Sequence, residues 1–107
     1  MDGINAEGTQ LYAEEVGRGD PVIFVHEFAD NIKSWSPQIS ALSRRFRCIA
    51  FNARGYPPSG VPENPQLYSQ EIAARDINSV LKGYALDSAH IVGCSMGAFA
   101  ALHHAIL

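Results

Sequence analysis

The sequence predicts an α/β fold, built as a mainly parallel sheet with flanking helices. Three short segments, at residues 22–25, 48–51 and 89–92, are predicted strands, and the first two are continuously apolar, as expected for strands buried on both faces of a parallel sheet. A segment with helical spacing of its apolar residues follows each of them. This alternation of strand and helix implies parallel strands that are joined by right-handed crossovers.

A β-hairpin is predicted ahead of the first parallel strand. Residues 10–15 alternate apolar and polar side chains, and residues 3–6 can pair with them around a turn at Glu7 and Gly8. The stretch Gly-Arg-Gly-Asp-Pro at residues 17–21 then predicts a second turn, which leads into the first parallel strand.

The first helix is predicted to begin at Ser36 and Pro37, which would serve as N-cap and first-turn proline. Its inward face is predicted to carry Ile39, Leu42 and Phe46, which recur at helical spacing. The helix would therefore cover one face of the sheet before the chain enters its next strand.

Two further helices complete the pattern. Residues 55–65 are rich in proline and glycine, which predicts a loop, and Ser69 can cap the helix that follows. The apolar stripe predicted for that helix comprises Ala73, Ile77, Val80, Leu81 and Tyr84. Residues 98–107 form the third predicted helix, which is apolar on nearly every face and has no stop signal after it.

Length and composition indicate one domain at most, spanning residues 1–107. The chain is 47% hydrophobic with a net charge of −3, which suits a globular protein and gives no reason to expect a nucleic acid or a membrane as partner. No stretch resembles a targeting or membrane-spanning segment, so a cytoplasmic location is expected.

Cys48 and Cys94 lie in apolar, strand-like contexts and are predicted to be small buried side chains. We expect no cofactor and no metal, and the oligomeric state stays open.

The pentapeptide GCSMG at residues 93–97 carries a chemical hypothesis. Serine between two glycines is a common pattern, and Ser95 could simply cap the helix that follows. The pattern becomes informative because it lies between a predicted strand and a predicted helix. There the chain must reverse sharply, which exposes the serine hydroxyl, and glycines avoid collisions where strand and helix meet. The helix N-terminus also directs backbone N–H groups toward negative charge that forms beside the serine.

Three motifs stand at the ends of the three predicted strands: VIFVH at residues 22–26, followed by Glu27 and Phe28, then NARGYPPS at residues 52–59, and then GCSMG. In these motifs the chain resembles the α/β-hydrolase fold family. That family carries His-Gly-x after the first strand, an Asp-x-Arg-Gly-x-Gly-x-Ser loop after the second, and the nucleophile elbow after the third. The resemblance covers essentially the whole chain and implies the N-terminal part of an α/β-hydrolase fold.

The resemblance implies roles for individual residues. Ser95 would be the nucleophile, which attacks a carbonyl and forms an acyl-enzyme. The backbone N–H groups of Met96 and Phe28 would form the oxyanion hole, which stabilises charge that develops in the transition state. Arg54 would hold its own loop together through hydrogen bonds, and His26 would have a structural hydrogen-bonding role.

Two departures from the family pattern affect this region. Glu27 stands where the family usually has glycine, so a carboxylate lies near the predicted oxyanion hole. We expect it to turn toward solvent or to pair with a neighbour such as Arg54. Asn52 replaces aspartate and Pro57 replaces glycine, which changes the stiffness of the loop without touching the nucleophile.

The residue at the centre of the elbow narrows the reaction. Within the family, an aspartate there implies attack on alkyl halides or epoxides, and a cysteine implies dienelactone hydrolysis. Ser95 therefore implies a serine hydrolase that acts on an ester or related acyl bond of a small-molecule substrate. Relatives that use the same serine for cofactor-free halogenation or lyase reactions stay open as alternatives. Cys94 is predicted to point away from Ser95 as a packing residue.

The chain contains no evident base and acid to activate Ser95. In this family both follow the nucleophile, acid first and histidine second, but no Asp or Glu follows Ser95. His103 and His104 lie along the last predicted helix, and His26 lies on the oxyanion strand. We therefore expect a partial hydrolase domain, incomplete at its C-terminus, inactive by itself, and with the strand at residues 89–92 as an exposed edge. The alternative is a non-catalytic binding or interaction module of the same fold, and the sequence encoded beyond the last residue distinguishes the two.

Overall fold

The computed structural model describes residues 3–26, 30–94 and 96–106, and within them the strands form two sheets. A hairpin is made by β1 (Ile4–Ala6) and β2 (Thr9–Leu11). The main sheet contains four strands in the order β3-β5-β4-β6. Its members are β3 (Ala13–Val16), β4 (Asp20–Val25), β5 (Phe46–Phe51) and β6 (His90–Gly93).

The register of the main sheet brings three strand ends to one edge. Strand β4 is central and pairs in parallel with β5 on one side and β6 on the other. Val25, the last residue of β4, lies opposite both Phe51 of β5 and Gly93 of β6. Strand β3 is antiparallel to β5, so the sheet is mixed and mainly parallel, as predicted. The segments that leave β4, β5 and β6 therefore start side by side.

The predicted hairpin is confirmed, but residues 10–15 do not form one strand. Strand β2 pairs with β1, whereas β3 pairs with β5, so the chain changes partner at Tyr12. The Tyr12 N–H donates to the Ser59 hydroxyl oxygen at 2.8 Å. This side chain comes from the loop after β5, a contact that alternation along the sequence does not encode.

The first helix, α1 (Ser36–Leu42), begins differently from the prediction. A 3₁₀ helix at Ile32–Trp35 runs directly into it, and the Asn31 side chain caps that turn by accepting from the Lys33 N–H. Ser36 therefore lies inside the helix, and its prediction as N-cap is wrong.

Only one of the three residues predicted for the inward face of α1 packs against the sheet from the helix. Ile39 contacts the core, while Leu42 is exposed. Phe46 belongs to β5, because the helix ends at Leu42 and the chain has already entered the sheet. The predicted stripe extended the helical period beyond the end of the helix.

The other two helices follow the prediction closely. Helix α2 (Gln70–Gly83) is capped by Ser69, whose hydroxyl oxygen accepts the Ile72 N–H at 3.0 Å. Its predicted stripe faces the core, with Ile77 and Val80 fully buried. Helix α3 (Met96–Ile106) begins two residues before its predicted start at residue 98. Among the described helices, none is long and apolar enough to cross a membrane.

The sheet has a core on each face. Helices α2 and α3 cover one face, around Ile23, Ile49 and Ile77, and α1 covers the other, around Phe24 and Cys48. Cys48 is buried as predicted, and burial raises the pKa of its thiol. Cys94 is exposed, so its predicted role as a buried packing residue is wrong. It follows the last residue of β6, where the chain has already left the core.

Helix α3 and the sheet approach each other closely at two glycines. A Cβ on Gly97 would lie 2.2 Å from the Val25 carbonyl oxygen, and a Cβ on Gly93 would lie 2.6 Å from the Gly97 carbonyl carbon. Backbone atoms cannot move away as a flexible side chain can, so both positions require glycine. The first turn of α3 therefore lies directly against the ends of β4 and β6.

This contact makes a prediction about Gly97. Replacement by alanine should lower the free energy of unfolding by about 1–3 kcal/mol through overpacking, although alanine favours a helix over glycine. The change is measured as a shift of the urea midpoint at constant m-value.

Gly3→Ala is the matched control, because its added Cβ meets only the end of the flexible Gln10 side chain, at 3.2 Å. An unchanged midpoint for Gly97→Ala would contradict the close approach.

Candidate functional site

The sharp turn predicted between strand and helix has its two flanks in place. Strand β6 ends at Gly93 and α3 begins at Met96. The Gly97 N–H donates to the Cys94 carbonyl at 3.0 Å. The start of α3 thus stands at the edge of the sheet where β4 and β5 also end.

The predicted site residues are only partly described. Met96 is the first residue of α3 and borders a cavity. Ser95, Phe28 and Glu27 lie outside the described residues, so the position of the Ser95 hydroxyl and the separation of the two oxyanion donors stay predictions. The parallel pairing of β4 with β6, on which the predicted oxyanion hole depends, is present.

His26 joins the ends of β4 and β5. Its Nε2 accepts the Ala53 N–H at 2.9 Å, its side chain is buried, and its ring contacts Tyr56 edge-on at 4.8 Å between centroids. A neutral imidazole that accepts at Nε2 carries its proton on Nδ1. Because Nε2 is occupied by a backbone N–H, His26 has the structural hydrogen-bonding role that was expected.

Asn52 joins the same two loops from the other strand. Its Oδ1 accepts the Ile32 N–H at 2.9 Å and its Nδ2 donates to the Pro57 carbonyl at 3.1 Å. An ionised aspartate could accept the first of these bonds but could not donate the second. Asparagine at this position, where the family usually has aspartate, therefore allows one buried side chain to hold both the segment after β4 and the loop after β5.

The hydrogen bonds of His26 and Asn52 hold the residues on either side of residues 27–31. Residue 26 is attached to Ala53, and residue 32 is attached to Asn52. Both ends of the segment that contains Phe28 are therefore held by consecutive residues that follow β5. The Ser59 hydroxyl adds a further bond, which it donates to the Asn52 carbonyl.

Arg54 makes an ion pair that sequence analysis missed. Its Nε and Nη2 donate to the two carboxylate oxygens of Asp76 at 2.7 and 2.8 Å, and its Nη1 donates to the Leu67 carbonyl at 2.8 Å. The side chains of Arg54 and Asp76 are only 5% and 3% exposed. The pair ties the loop after β5 to the middle of α2, which is the structural role expected for Arg54.

The sequence contains one indication of this pair, which is a charged residue, Asp76, next to the apolar residues of α2. Asp76 immediately precedes Ile77 and lies on the buried side of α2. Burial raises the pKa of the Asp76 carboxyl, while the hydrogen bonds and the positive charge of Arg54 act in the opposite direction. A buried carboxylate of this kind needs a partner, and Arg54 supplies it.

A cavity of about 840 Å³ lies between the first turns of α2 and α3, at the ends of β4 and β5. Met96 and Gly97 border it on one side, and Ser69 and Ala73 border it on the other. Most of its remaining wall is apolar or aromatic: Val25, Phe51, Ala53, Tyr56, Val61, Tyr68, Phe99 and Ala100. The wall of the cavity therefore includes Met96, the residue that directly follows Ser95 in the chain.

The remaining histidines lie away from this region along the chain. His90 is at the first residue of β6, opposite Val22, and so at the other end of that strand from Gly93. His103 and His104 are in the last turn of α3, and both are half-buried. Among residues 3–26, 30–94 and 96–106, no group of three or more His, Cys, Asp and Glu side chains is placed to hold a metal ion.

The fold and the motif positions agree with the comparison to known proteins. The family model of the alpha/beta hydrolase fold matches residues 20–107, and the chain belongs to this family. It is 33% identical over 105 residues to an epoxide hydrolase of Caballeronia sordidicola, which covers 97% of this chain and 32% of that protein.

Two solved structures have the same fold over nearly all of the chain. A mutant epoxide hydrolase from Bacillus megaterium, complexed with its product, superposes with a TM-score of 0.91 at 30% identity and covers 96% of this chain and 36% of that one. The esterase EaEST from Exiguobacterium antarcticum gives a TM-score of 0.89 at 32% identity, with coverages of 97% and 39%. The chain spans 16% to 36% of the length of eight curated relatives that it matches.

The two bonds of Asn52 make a prediction that depends on pH. Asn52→Asp should lower the free energy of unfolding by about 1–3 kcal/mol at neutral pH, because the carboxylate would face the Pro57 carbonyl without a proton to donate. The deficit relative to the unsubstituted protein should shrink as the pH falls through the pKa of the new carboxyl, since the protonated acid can donate. Urea unfolding of both proteins at each pH measures the difference.

Asn78→Asp, an exposed substitution on α2, is the control and should change stability little at any pH. A deficit for Asn52→Asp that grows as the pH falls would show that the donated bond is not what matters.

The buried ion pair makes a separate prediction. Asp76→Ala should lower the free energy of unfolding by about 3–5 kcal/mol, because Arg54 would stay buried with its charge uncompensated. The double variant Arg54→Met, Asp76→Ala should lose much less than the sum of the losses in Arg54→Met alone and Asp76→Ala alone. Denaturant unfolding of all four proteins measures the coupling.

Arg75→Ala provides the contrast, because Arg75 is 45% exposed in its ion pairs with Glu7 and Glu71. That change should cost about 0–1 kcal/mol. Additive effects of the changes at Arg54 and Asp76 would refute their coupling.

Proposed function

We propose that this chain supplies the nucleophile and the oxyanion donors of a serine hydrolase that acts on an ester or related acyl bond. Ser95 is the nucleophile, and the backbone N–H groups of Met96 and Phe28 receive the developing negative charge. The observation that carries the proposal is the close approach of Gly93, Gly97 and the end of β4. That contact holds the first turn of α3 at the edge of the sheet, as a nucleophile between strand and helix requires.

The chemistry proceeds in two steps. The Ser95 oxygen attacks the substrate carbonyl carbon, its proton passes to a general base, and the carbonyl oxygen becomes an oxyanion held by the two N–H groups. The tetrahedral intermediate then collapses, the carbon–oxygen bond to the leaving alcohol breaks, and that alcohol takes the proton from the base. Water repeats the sequence on the acyl-enzyme, which releases the acid and restores Ser95.

The serine favours acyl substrates over epoxides, although the curated relative and one of the solved structures are epoxide hydrolases. A carboxylate that opens an epoxide forms an ester, which water can hydrolyse. A serine hydroxyl that opened an epoxide would form an ether, which water does not cleave, so turnover would stop. The esterase among the structural neighbours agrees with the acyl assignment.

The general base and its orienting acid are proposed to come from outside these 107 residues. No Asp or Glu follows Ser95, and the Nε2 of His26 is already occupied by the Ala53 N–H. Base assistance typically contributes about 10²–10⁴-fold to the rate. The chain by itself is therefore proposed to be a partial domain without ester hydrolysis. The small-molecule acyl substrate, the cytoplasmic location and the lack of a cofactor or metal stay predictions.

A comparison of the 107-residue chain with its Ser95→Ala variant tests this proposal. Neither protein should hydrolyse 4-nitrophenyl acetate above background, and neither should react rapidly with a fluorophosphonate probe, because the serine lacks its base. A chain extended by the sequence encoded beyond Leu107 should gain both activities, and both should vanish with Ser95→Ala. The extended chain should leave styrene oxide unchanged.

Several results would contradict the proposal, each in a different way. Rapid stoichiometric labelling of the 107-residue chain, lost in Ser95→Ala, would mean that a base lies within the chain, with His26 tested first by His26→Gln. Hydrolysis of styrene oxide would overturn the acyl assignment. An extended chain without Ser95-dependent activity, or the absence of coding sequence after Leu107, would favour the non-catalytic binding module.

A further inference from the structure

We propose that the cavity between α2 and α3 binds the uncharged, apolar part of the substrate, an aryl or alkyl group, and disfavours a charged one. This inference rests on the proposed function and names the chemical class of its substrate. It depends on five polar side chains of the cavity wall, each of which makes a hydrogen bond within the protein: Arg54, Tyr68, Ser69, Gln70 and Asp76.

The cavity lies beside the proposed reacting centre. Met96 and Gly97 border it, and Met96 follows Ser95 in the chain, so their Cα atoms are about 3.8 Å apart. Its volume of about 840 Å³ lies within the range of about 300–1,000 Å³ that is typical of small-molecule sites. A substrate whose carbonyl reaches Ser95 could therefore extend into this space.

The polar side chains of the wall are already used within the protein. The Tyr68 hydroxyl donates to the Pro62 carbonyl at 2.7 Å, and the Ser69 hydroxyl oxygen accepts from Ile72 as the helix cap. The Gln70 side-chain amide donates to the Phe99 carbonyl at 3.4 Å. A polar ligand group in the cavity would therefore have to share these side chains with the hydrogen bonds that they already make.

The charged groups of the wall cancel one another. Arg54 and Asp76 both border the cavity, and the two hydrogen bonds between them leave no net charge at that point. The Arg54 Nη1 is also occupied, by the Leu67 carbonyl. A carboxylate or ammonium group on the substrate would therefore be desolvated without a compensating charge, which is costly.

The outer part of the cavity is bordered by exposed aromatic rings. Phe99 on α3 is 61% exposed and Tyr68 is 38% exposed, and both contribute to the wall. Exposed aromatic surface that borders a cavity is typical of ligand-binding sites. Leu102, one turn further along α3, is similarly exposed at 64% but does not border the cavity.

A pair of fluorescent probes tests the preference for an uncharged group. N-phenyl-1-naphthylamine is neutral, and 1-anilinonaphthalene-8-sulfonate has the same rings with an added sulfonate. The neutral probe should bind the 107-residue chain saturably at one site, and the sulfonate should bind more weakly by about tenfold or more, because its charge would be desolvated without a partner. Equal or tighter binding of the sulfonate would overturn the proposal.

Matched variants locate the probe. Phe99→Asp should weaken binding of the neutral probe by about tenfold or more, because it places a carboxylate on the cavity wall. Leu102→Asp makes the same change one turn away and should leave the affinity within about twofold. Ala73→Phe should also weaken binding by filling the cavity from α2. Circular dichroism identifies any variant that fails to fold, and Phe99→Asp decides the outcome because that residue is exposed.

The outcome is separable from the test of the nucleophile. The neutral probe has no acyl group, so its binding does not depend on attack by a nucleophile. Equal losses in Phe99→Asp and Leu102→Asp, or no loss in either, would refute the cavity as the site, even where an extended chain shows Ser95-dependent hydrolysis. Probe binding as described, with no such hydrolysis, would instead refute the proposed function and leave an apolar binding site.

Discussion

The contact between the first turn of α3 and the ends of β4 and β6 is the constraint on which this region depends. The helix can come this close only because Gly97 has no side chain to meet the Val25 carbonyl, and Gly93 none to meet Gly97. The same contact places Met96 at the edge of the sheet where β5 also ends. A cavity between α2 and α3 lies beside this contact, and Met96 and Gly97 form part of its wall.

The polar residues around that edge mainly hold backbone in place. His26 and Asn52 each bind the backbone of a neighbouring loop, and the pair of Arg54 and Asp76 joins a loop to α2. Buried polar groups need partners, and here those partners are the loops themselves. The arrangement leaves a mainly apolar cavity wall beside the start of α3.

The relatives show why a shared fold does not fix a reaction. The chain is about as similar to a solved epoxide hydrolase, at 30% identity, as to a solved esterase, at 32%. The strands, the glycine spacing and the loops are scaffold features that can serve either chemistry. The atom that attacks decides between them, because a carboxylate on an epoxide forms a cleavable ester and a serine hydroxyl does not. Ser95 therefore carries more weight in the proposal than overall similarity does.

The sequence by itself determined the parallel strands, the loop at residues 55–65, the Ser69 cap and the glycines beside Ser95, because apolar periodicity, capping chemistry and steric limits are local. Only the tertiary structure decided where the N-terminal strand breaks at Tyr12, that α1 begins after a 3₁₀ turn, that Cys94 is exposed and that Asp76 pairs with Arg54. Each of these four features depends either on a residue distant in sequence or on the position at which a helix or strand ends. The spacing of apolar residues along the sequence encodes neither of these. The Arg54–Asp76 pair illustrates the reason: a buried carboxylate can be recognised on a helix stripe, but the partner that neutralises it is fixed only when the loop and the helix pack together.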